Sequence, residues 1–277
     1  VSVNDSSERV NLKSQKYPVA IELVDPNGYL NTEKITISEN IGKNIILVDF
    51  WTYSCINCQR TIPYLNSWYE KYKYQGLVII GVHTPEFDFE KEYNNVQKAV
   101  EKYKIKYPVV QDNDYKTWTA YKNRFWPRKY LIDTDGFIVY DHIGEGAYEE
   151  TELKIQELLT ERSKVLNLDA NPKKKITEEI TEDNQYNIGI TQETYLGYQF
   201  SRKQLGNPEG WIPDKIVKYN LPENPKYDKF YLEGEWLNNK DNMELTNQKG
   251  YILIRYAGKE VNMVAGSSKE PVNVNIF

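Results

Sequence analysis

The chain has 277 residues, of which 40% are hydrophobic and 27% charged, proportions that suit a folded chain of one large or two medium domains. A formal net charge of −5 gives no reason to expect nucleic acid or an anionic membrane surface as partner. No run of about 18 apolar residues exists to span a bilayer. Residues 1 to 17 are polar and read as loose. The start at Val1 fits either a removed signal peptide or anchor, or a trimmed chain, and Asn4-Asp5-Ser6 fits a glycosylation sequon that often arises by chance. Ala20 to Leu23 followed by Asp25-Pro26-Asn27-Gly28 reads as a strand end and a turn. Ile45 to Phe50 and Leu77 to Val82 are short continuous apolar runs of the kind buried in parallel sheets. Between them Ile62, Leu65, Trp68, Tyr69 and Tyr72 recur at helical spacing, with Pro63 predicted to kink the helix.

Further along, Glu90 to Tyr103 predicts a helix, Pro108 to Gln111 a strand and Tyr115 to Tyr121 a short helix. Lys129 to Asp133 and Phe137 to Asp141 flank the turn signal Thr134-Asp135-Gly136 and predict a hairpin. Glu149 to Arg162 predicts a closing helix. This order argues for an α/β domain with a mixed central sheet over residues 1–165. Residues 166–200 are polar enough to be a linker. Residues 201–277 predict a smaller all-β, sandwich-like domain, with period-two patterns at 230–236, 251–256, 261–264 and 272–277. The last pattern runs to the terminus, and so few strands would leave open edges, so the chain reads as a fragment of a longer one.

Cys55-Ile56-Asn57-Cys58 holds the only two cysteines, at the junction of an apolar strand and an amphipathic helix. A thiolate attacks disulfides, and a helix N-terminus favours the thiolate through its unpaired N–H groups and dipole. Cys55 at the first turn therefore suits the nucleophile. Cys58, one turn on, suits the resolving thiol that attacks the resulting mixed disulfide. A zinc site lacks two further ligands at finger spacing, since His83 and His142 are the only histidines. An inert disulfide closing so short a loop would contribute little to stability. Asp49 lies in an otherwise apolar strand, where burial is costly, and a buried carboxylate there could take the proton of Cys58. The plainer alternative is a strand-end aspartate bonded to a backbone N–H.

Trp126-Pro127 precedes the hairpin strand. A cis bond there would leave Trp126 backbone groups to a substrate, although composition alone favours trans. Trp51 and Tyr53 flank the dithiol and could offer an apolar contact surface, with core packing as the alternative for Trp51. Copper held by the thiolates with His83 or His142 is chemically sensible, though structural histidines are commoner. Glu145, between Gly144 and Gly146, reads as a turn residue.

With Val48-Asp49-Phe50-Trp51, Thr52 to Cys58, Trp126-Pro127, Tyr130-Leu131-Ile132-Asp133, Gly144-Glu145-Gly146 and Glu193 to Tyr198 in place, the chain resembles the thioredoxin-like superfamily. Within that superfamily it is similar to the extracytoplasmic domain of the DipZ type of thiol–disulfide oxidoreductase. The resemblance implies a thioredoxin fold, Cys55 as nucleophile, Cys58 as resolving thiol, Asp49 as buried carboxylate and Pro127 as cis-proline. On the ligand count above, no cofactor and no metal are expected. The resemblance also implies disulfide-containing proteins as substrates, a location outside the cytoplasm and a C-terminal module like a carbohydrate-binding one. In such proteins a membrane domain supplies the electrons; none is present in this chain, and its donor is unidentified. Asn57 departs from the proline or histidine common in the superfamily, so the redox potential does not carry over. Reduction of substrates is the expected direction. The rival expectations are copper handling, and a glycan- or protein-binding β module using Trp211, Tyr231 or Trp236, against the plainer alternative that these aromatics are buried.

Overall fold

All seven residues of Ile45–Trp51 are buried, which requires a strand covered on both faces. In the computed structural model, which describes residues 3–168, 175–178, 191, 193–199, 201, 204–258, 261–266 and 272–277, this run is the second strand of a six-stranded mixed sheet. The strands are β1 (Gly28–Leu30), β2 (Ile45–Trp51), β3 (Leu77–His83), β4 (Val109–Gln111), β5 (Arg128–Ile132) and β6 (Ile138–Ile143). Their order is β1-β4-β3-β2-β5-β6, with β2, β3 and β4 parallel and β1, β5 and β6 antiparallel to their neighbours. The chain divides into two units, Val1–Glu182 with Val264–Phe277, and Asp183–Met263.

The alternation of β2 sorts its side chains into two cores. Ile45, Leu47 and Trp51 pack with Ile62, Leu65 and Trp68 of α2 (Ile56–Tyr72), Val96 and Val100 of α3 (Tyr93–Lys102), and Ile155, Leu158 and Leu159 of α5 (Tyr148–Val165). Ile46, Val48 and Phe50 pack on the other face with Leu23, Ile35 and Ile37, and with Tyr121, which follows α4 (Lys116–Ala120). The buried positions of α2 include Cys58, Thr61, Ile62, Leu65, Trp68 and Tyr72, a helical stripe that continues through Pro63. The chain leaves this helix through a short 3-10 turn that ends at Gly76, whose φ of 103° suits glycine.

Three expectations need correction. Residues 1–17 contain a helix, α1 (Val3–Ser14), rather than a loose segment. Among its described side chains the anchors are charged: Arg9 binds Asp135 at 2.8 Å, and Lys13 binds Asp133 at 2.6 Å, Asp135 at 2.8 Å and also Glu161. Residues 20–23 form no strand; the strand follows the turn and begins at Gly28, paired with β4. Residues 261–264 and 272–277 also form no strand, and Val261, Val264, Val272, Val274, Ile276 and Phe277 are exposed, so their period-two pattern finds no partner strand among the described residues. The polar connection expected over 166–200 lies largely outside the described residues.

The second unit is built on one long strand. β8 (Lys229–Asn238) pairs antiparallel with β7 (Ile216–Tyr219), β9 (Met243–Leu245) and β10 (Tyr251–Arg255). Its partners change at Gly234, where φ is 106°. Val217, Tyr219, Phe230, Leu232 and Trp236 form its core. Among the described residues this is a single antiparallel sheet.

Candidate active site

Helix α2 starts at the C-terminal end of β2, and Cys55 is its capping residue, with extended backbone (φ −68°, ψ 113°). The Cys55 Sγ accepts the backbone N–H of Cys58 at 3.3 Å, so the sulfur takes the capping place usually filled by a serine or aspartate oxygen. Both thiols are free. Cys55 is partly exposed, whereas Cys58 is buried. Burial pushes the Cys58 thiol up, the Cys55 sulfur and the Asp49 charge push it further, and the Thr52 backbone opposes them. One sulfur can therefore meet a substrate and the other waits beneath it.

Asp49 lies two residues before Trp51 on the same face of β2 and is 1% exposed. Its Oδ1 has no hydrogen-bond partner among the described residues, which removes the alternative of a strand-end aspartate satisfied at that oxygen by a backbone N–H. Burial pushes its carboxyl up to about 7, against the pull of the Lys129 ammonium. Lys129 stands directly opposite it in the β2/β5 register and is itself buried, with Nζ donating to the Gly144 carbonyl at 3.2 Å. Desolvation lowers the Lys129 ammonium while Asp49 supports it. On the other side Asp49 faces Gly81 of β3, where a methyl group would meet Trp51 Nε1 at 3.0 Å and the Tyr107 ring at 3.2 Å. Tyr107 is fully buried, and burial, Asp49 and Cys58 all raise its phenol.

The rim is fixed from the loop after β3. Glu90 is fully buried. Its Oε1 accepts from the Ser54 amide at 3.2 Å and the Ser54 hydroxyl at 2.5 Å, and its Oε2 accepts from the Glu86 and Phe87 amides at 2.6 and 3.0 Å. The residue next to the nucleophile is thus tied to a carboxylate. Tyr53 stacks on His83 (centroids 5.6 Å, planes 19° apart) and lies beside Phe89. Burial and the nearby Glu90 raise its phenol to about 12. Trp126 packs on Trp118 at 4.2 Å and donates through Nε1 to the Thr84 carbonyl at 3.0 Å. The Trp126–Pro127 peptide bond is cis, and the Pro127 carbonyl accepts from the Gly144 amide at 2.8 Å.

Several candidate residues stand elsewhere than expected. Trp51 is 1% exposed and packs edge-on to His83, so it is core and offers no surface to a substrate. His83 is buried, and desolvation lowers it to about 3, which keeps the imidazole neutral. The His142 ring shares a hydrogen bond with the Glu145 carbonyl at 3.1 Å. Among the described residues neither histidine is grouped with the cysteines as metal ligands. The close three-ligand group is Asp133, Asp135 and Glu161, and the Lys13 ammonium already sits on it. In the second unit Tyr231 and Trp236 are buried, with the Tyr231 hydroxyl accepting the Lys226 amide and Trp236 Nε1 donating to the Glu233 carbonyl, so neither forms an open platform. Trp211 is half-buried against Phe230.

The sequence has counterparts among known proteins. Residues 19–141 match the AhpC/TSA family, and residues 191–277 match a thioredoxin-like C-terminal domain. The thiol-disulfide oxidoreductase ResA of Bacillus cereus is 33% identical over 129 residues, which are 47% of this chain and 71% of that protein. The chain belongs to the thioredoxin-like thiol–disulfide oxidoreductases. Another relative in this family, Protein DipZ of Mycobacterium bovis, is 36% identical over 252 residues, 90% of this chain. The chain spans 35% of the length of that DipZ protein. A thiol-disulfide isomerase from Corynebacterium glutamicum superposes with a TM-score of 0.48 at 19% identity, over 53% of this chain and 98% of its own.

Two residues that sequence patterns did not single out, Lys129 and Glu90, stand around the dithiol segment. Lys129 is a charged residue inside the hairpin strand, and only the observed register of that strand with Ile45–Trp51 sets it opposite Asp49. Glu90 gave no such signal, because it lies in a 3-10 turn (Asp88–Lys91) with no hydrophobic period.

Proposed function

We propose that the protein reduces disulfide bonds in other proteins outside the cytoplasm, cycling Cys55 and Cys58 between dithiol and disulfide. The observation that carries this is the paired geometry: a partly exposed Cys55 sulfur at the head of α2, bonded to the amide of a buried Cys58. The Cys55 thiolate attacks one sulfur of a substrate disulfide and expels the other as a thiolate, leaving a mixed disulfide. Cys58 then loses its proton to Asp49 and attacks the Cys55 sulfur. The Cys55–Cys58 bond forms, and the second substrate sulfur leaves with its electron pair. Two electrons pass to the substrate, and an external reductant must return them.

Tyr53 and Trp126, which pack against the same core layer as Cys55, are assigned to substrate contact, with Pro127 shaping the strand beside the dithiol. Location outside the cytoplasm rests on the resemblance to the DipZ type. Among the described residues no helix is long and apolar enough to cross a membrane. The chemistry is assigned to the domain of residues 1–165, with 166–200 as linker and 201–277 as an accessory β domain. Insulin reduction driven by dithiothreitol tests the proposal. The wild-type chain is expected to accelerate precipitation of the insulin B chain, and Cys55→Ser to lose the activity. Full activity in Cys55→Ser would overturn it. A glutathione titration tests the direction, and a potential as oxidising as about −120 mV would mark an oxidant instead.

A further inference from the structure

We propose that Lys129 is a positioning residue of the dithiol site: its ammonium, facing Asp49 from β5, keeps that carboxylate able to take the proton of Cys58. This rests on the exchange reaction proposed above. Lys129 is fully buried on a strand flanked by two others, opposite Asp49 on β2 and opposite His142 on β6. Residues directly opposite in a sheet share a face, so Lys129 and Asp49 project together toward the layer that holds Cys58. A buried ammonium is costly unless its charge is answered. Among the described residues the Lys129 side chain makes one hydrogen bond, to the Gly144 carbonyl, and lies 5.9 Å from the centre of the Tyr148 ring. The charges that answer it are, largest first, those of Asp49, Cys58 and Glu145, and the Asp49 Oδ1 finds no hydrogen bond of its own among the described residues.

The titratable groups around this pair come from every neighbouring element. Cys55 and Cys58 lie at the head of α2, Tyr107 precedes β4, His142 is on β6, and Tyr148 is on α5. Glu145, in the loop after β6, is held 3.5 Å from Arg60 of α2. Of these, Lys129 is the cation that acts on Asp49. Burial by itself would keep Asp49 protonated through the neutral range, and a protonated carboxyl cannot accept. With Lys129 opposite, Asp49 ionises near neutrality. In resolution the Cys58 S–H bond breaks, its proton passes to an Asp49 oxygen, and the Cys58 sulfur bonds to Cys55. The bond from Cys55 to the substrate breaks, and the substrate sulfur leaves as a thiolate.

The test is rapid mixing of the reduced full chain with dithiobis(nitrobenzoate) across the range from roughly pH 5 to roughly pH 9. The first thionitrobenzoate released reports attack by Cys55, and the second reports resolution by Cys58. Lys129→Met is expected to move the midpoint of the second phase upward by about one pH unit or more, slowing it about ten-fold near pH 7, with the first phase unchanged within about two-fold. Lys129→Arg, which keeps the charge, should restore most of the rate. In an Asp49→Asn background Lys129→Met should have little further effect, because Lys129 acts through Asp49. The unchanged first phase certifies folding, and Lys129→Gln is read instead if the methionine variant does not fold. An unshifted midpoint, or full additivity with Asp49→Asn, would overturn the inference. A wild-type chain that releases no second equivalent would instead sink the exchange reaction itself.

Discussion

Glu90→Gln is the most revealing single substitution outside the dithiol, because Glu90 is buried and holds the segment that presents Cys55. Its two oxygens accept four hydrogen bonds, two from Ser54 and one each from the Glu86 and Phe87 amides. An amide keeps one accepting oxygen and turns an NH2 group toward donors at the other end. Two bonds are lost, and buried N–H groups are left unanswered on one side. Hydrogen bonds to a carboxylate contribute about 1.5–3 kcal/mol each, so the cost is about 3–6 kcal/mol. For a unit of this size each kcal/mol lowers Tm by about 2–4 °C, so a fall of about 10 °C is expected in a circular dichroism melt. Insulin reduction should slow about ten-fold at temperatures where the variant is folded, since Ser54 no longer fixes the approach to Cys55. Ser54→Ala, which removes only the hydroxyl bond, should lower stability by about 1–2 kcal/mol. A Glu90→Gln melt within about 1 °C of wild type, with unaltered turnover, would refute the anchoring role.

Asp49→Asn should alter the pH dependence of stability. The Asp49 carboxyl is raised in the folded chain, so between its ordinary value near 4 and about 7 the unfolded chain ionises first. Wild-type stability therefore falls across that window, and the asparagine variant should lack the decline by a few kcal/mol in urea titrations; parallel curves would contradict this. Lys13→Ala should cost about 2–4 kcal/mol and reduce the helical signal of α1, because Asp133, 2% exposed, would be left as a buried charge without its cation. An unchanged urea midpoint would show that the ion cluster contributes nothing. Gly76→Ala should cost about 1–2 kcal/mol, since its φ is 103° and the new methyl would fall 2.3 Å from the Arg162 guanidinium carbon; a neutral effect would mean that Arg162 yields freely.

The central strands, the dithiol helix and the hairpin were legible because each has a local signature. Ile45–Trp51 is apolar apart from Asp49, Ile62 to Tyr72 keeps helical spacing, and Thr134-Asp135-Gly136 marks a turn. Helix α1 was not legible because its docking depends on Arg9 and Lys13 meeting carboxylates more than a hundred residues away, which no local pattern records. The period-two apolar patterns at 261–264 and 272–277 misled, since alternation gives a strand only where another strand is there to pair with it. At the site, Asp49 stood out as one acid in an apolar run. Its electrostatic partner did not, because Lys129 is one of two adjacent charged residues in a five-residue strand and becomes informative only once the register with β2 is known. Trp51 shows the converse: adjacency to the cysteines in sequence suggested contact with substrate, but strand alternation turns its ring into the core.

Trapping with Cys58→Ser tests the exchange of Cys55 with substrate disulfides most directly. The variant, incubated with a disulfide-containing protein such as oxidised insulin and then quenched with acid, should carry a single covalent adduct through Cys55 in intact-mass spectra. The wild-type chain should instead accumulate reduced insulin and its own Cys55–Cys58 disulfide. Absence of any adduct on Cys58→Ser, or an equal adduct on Cys55→Ser, would contradict the account.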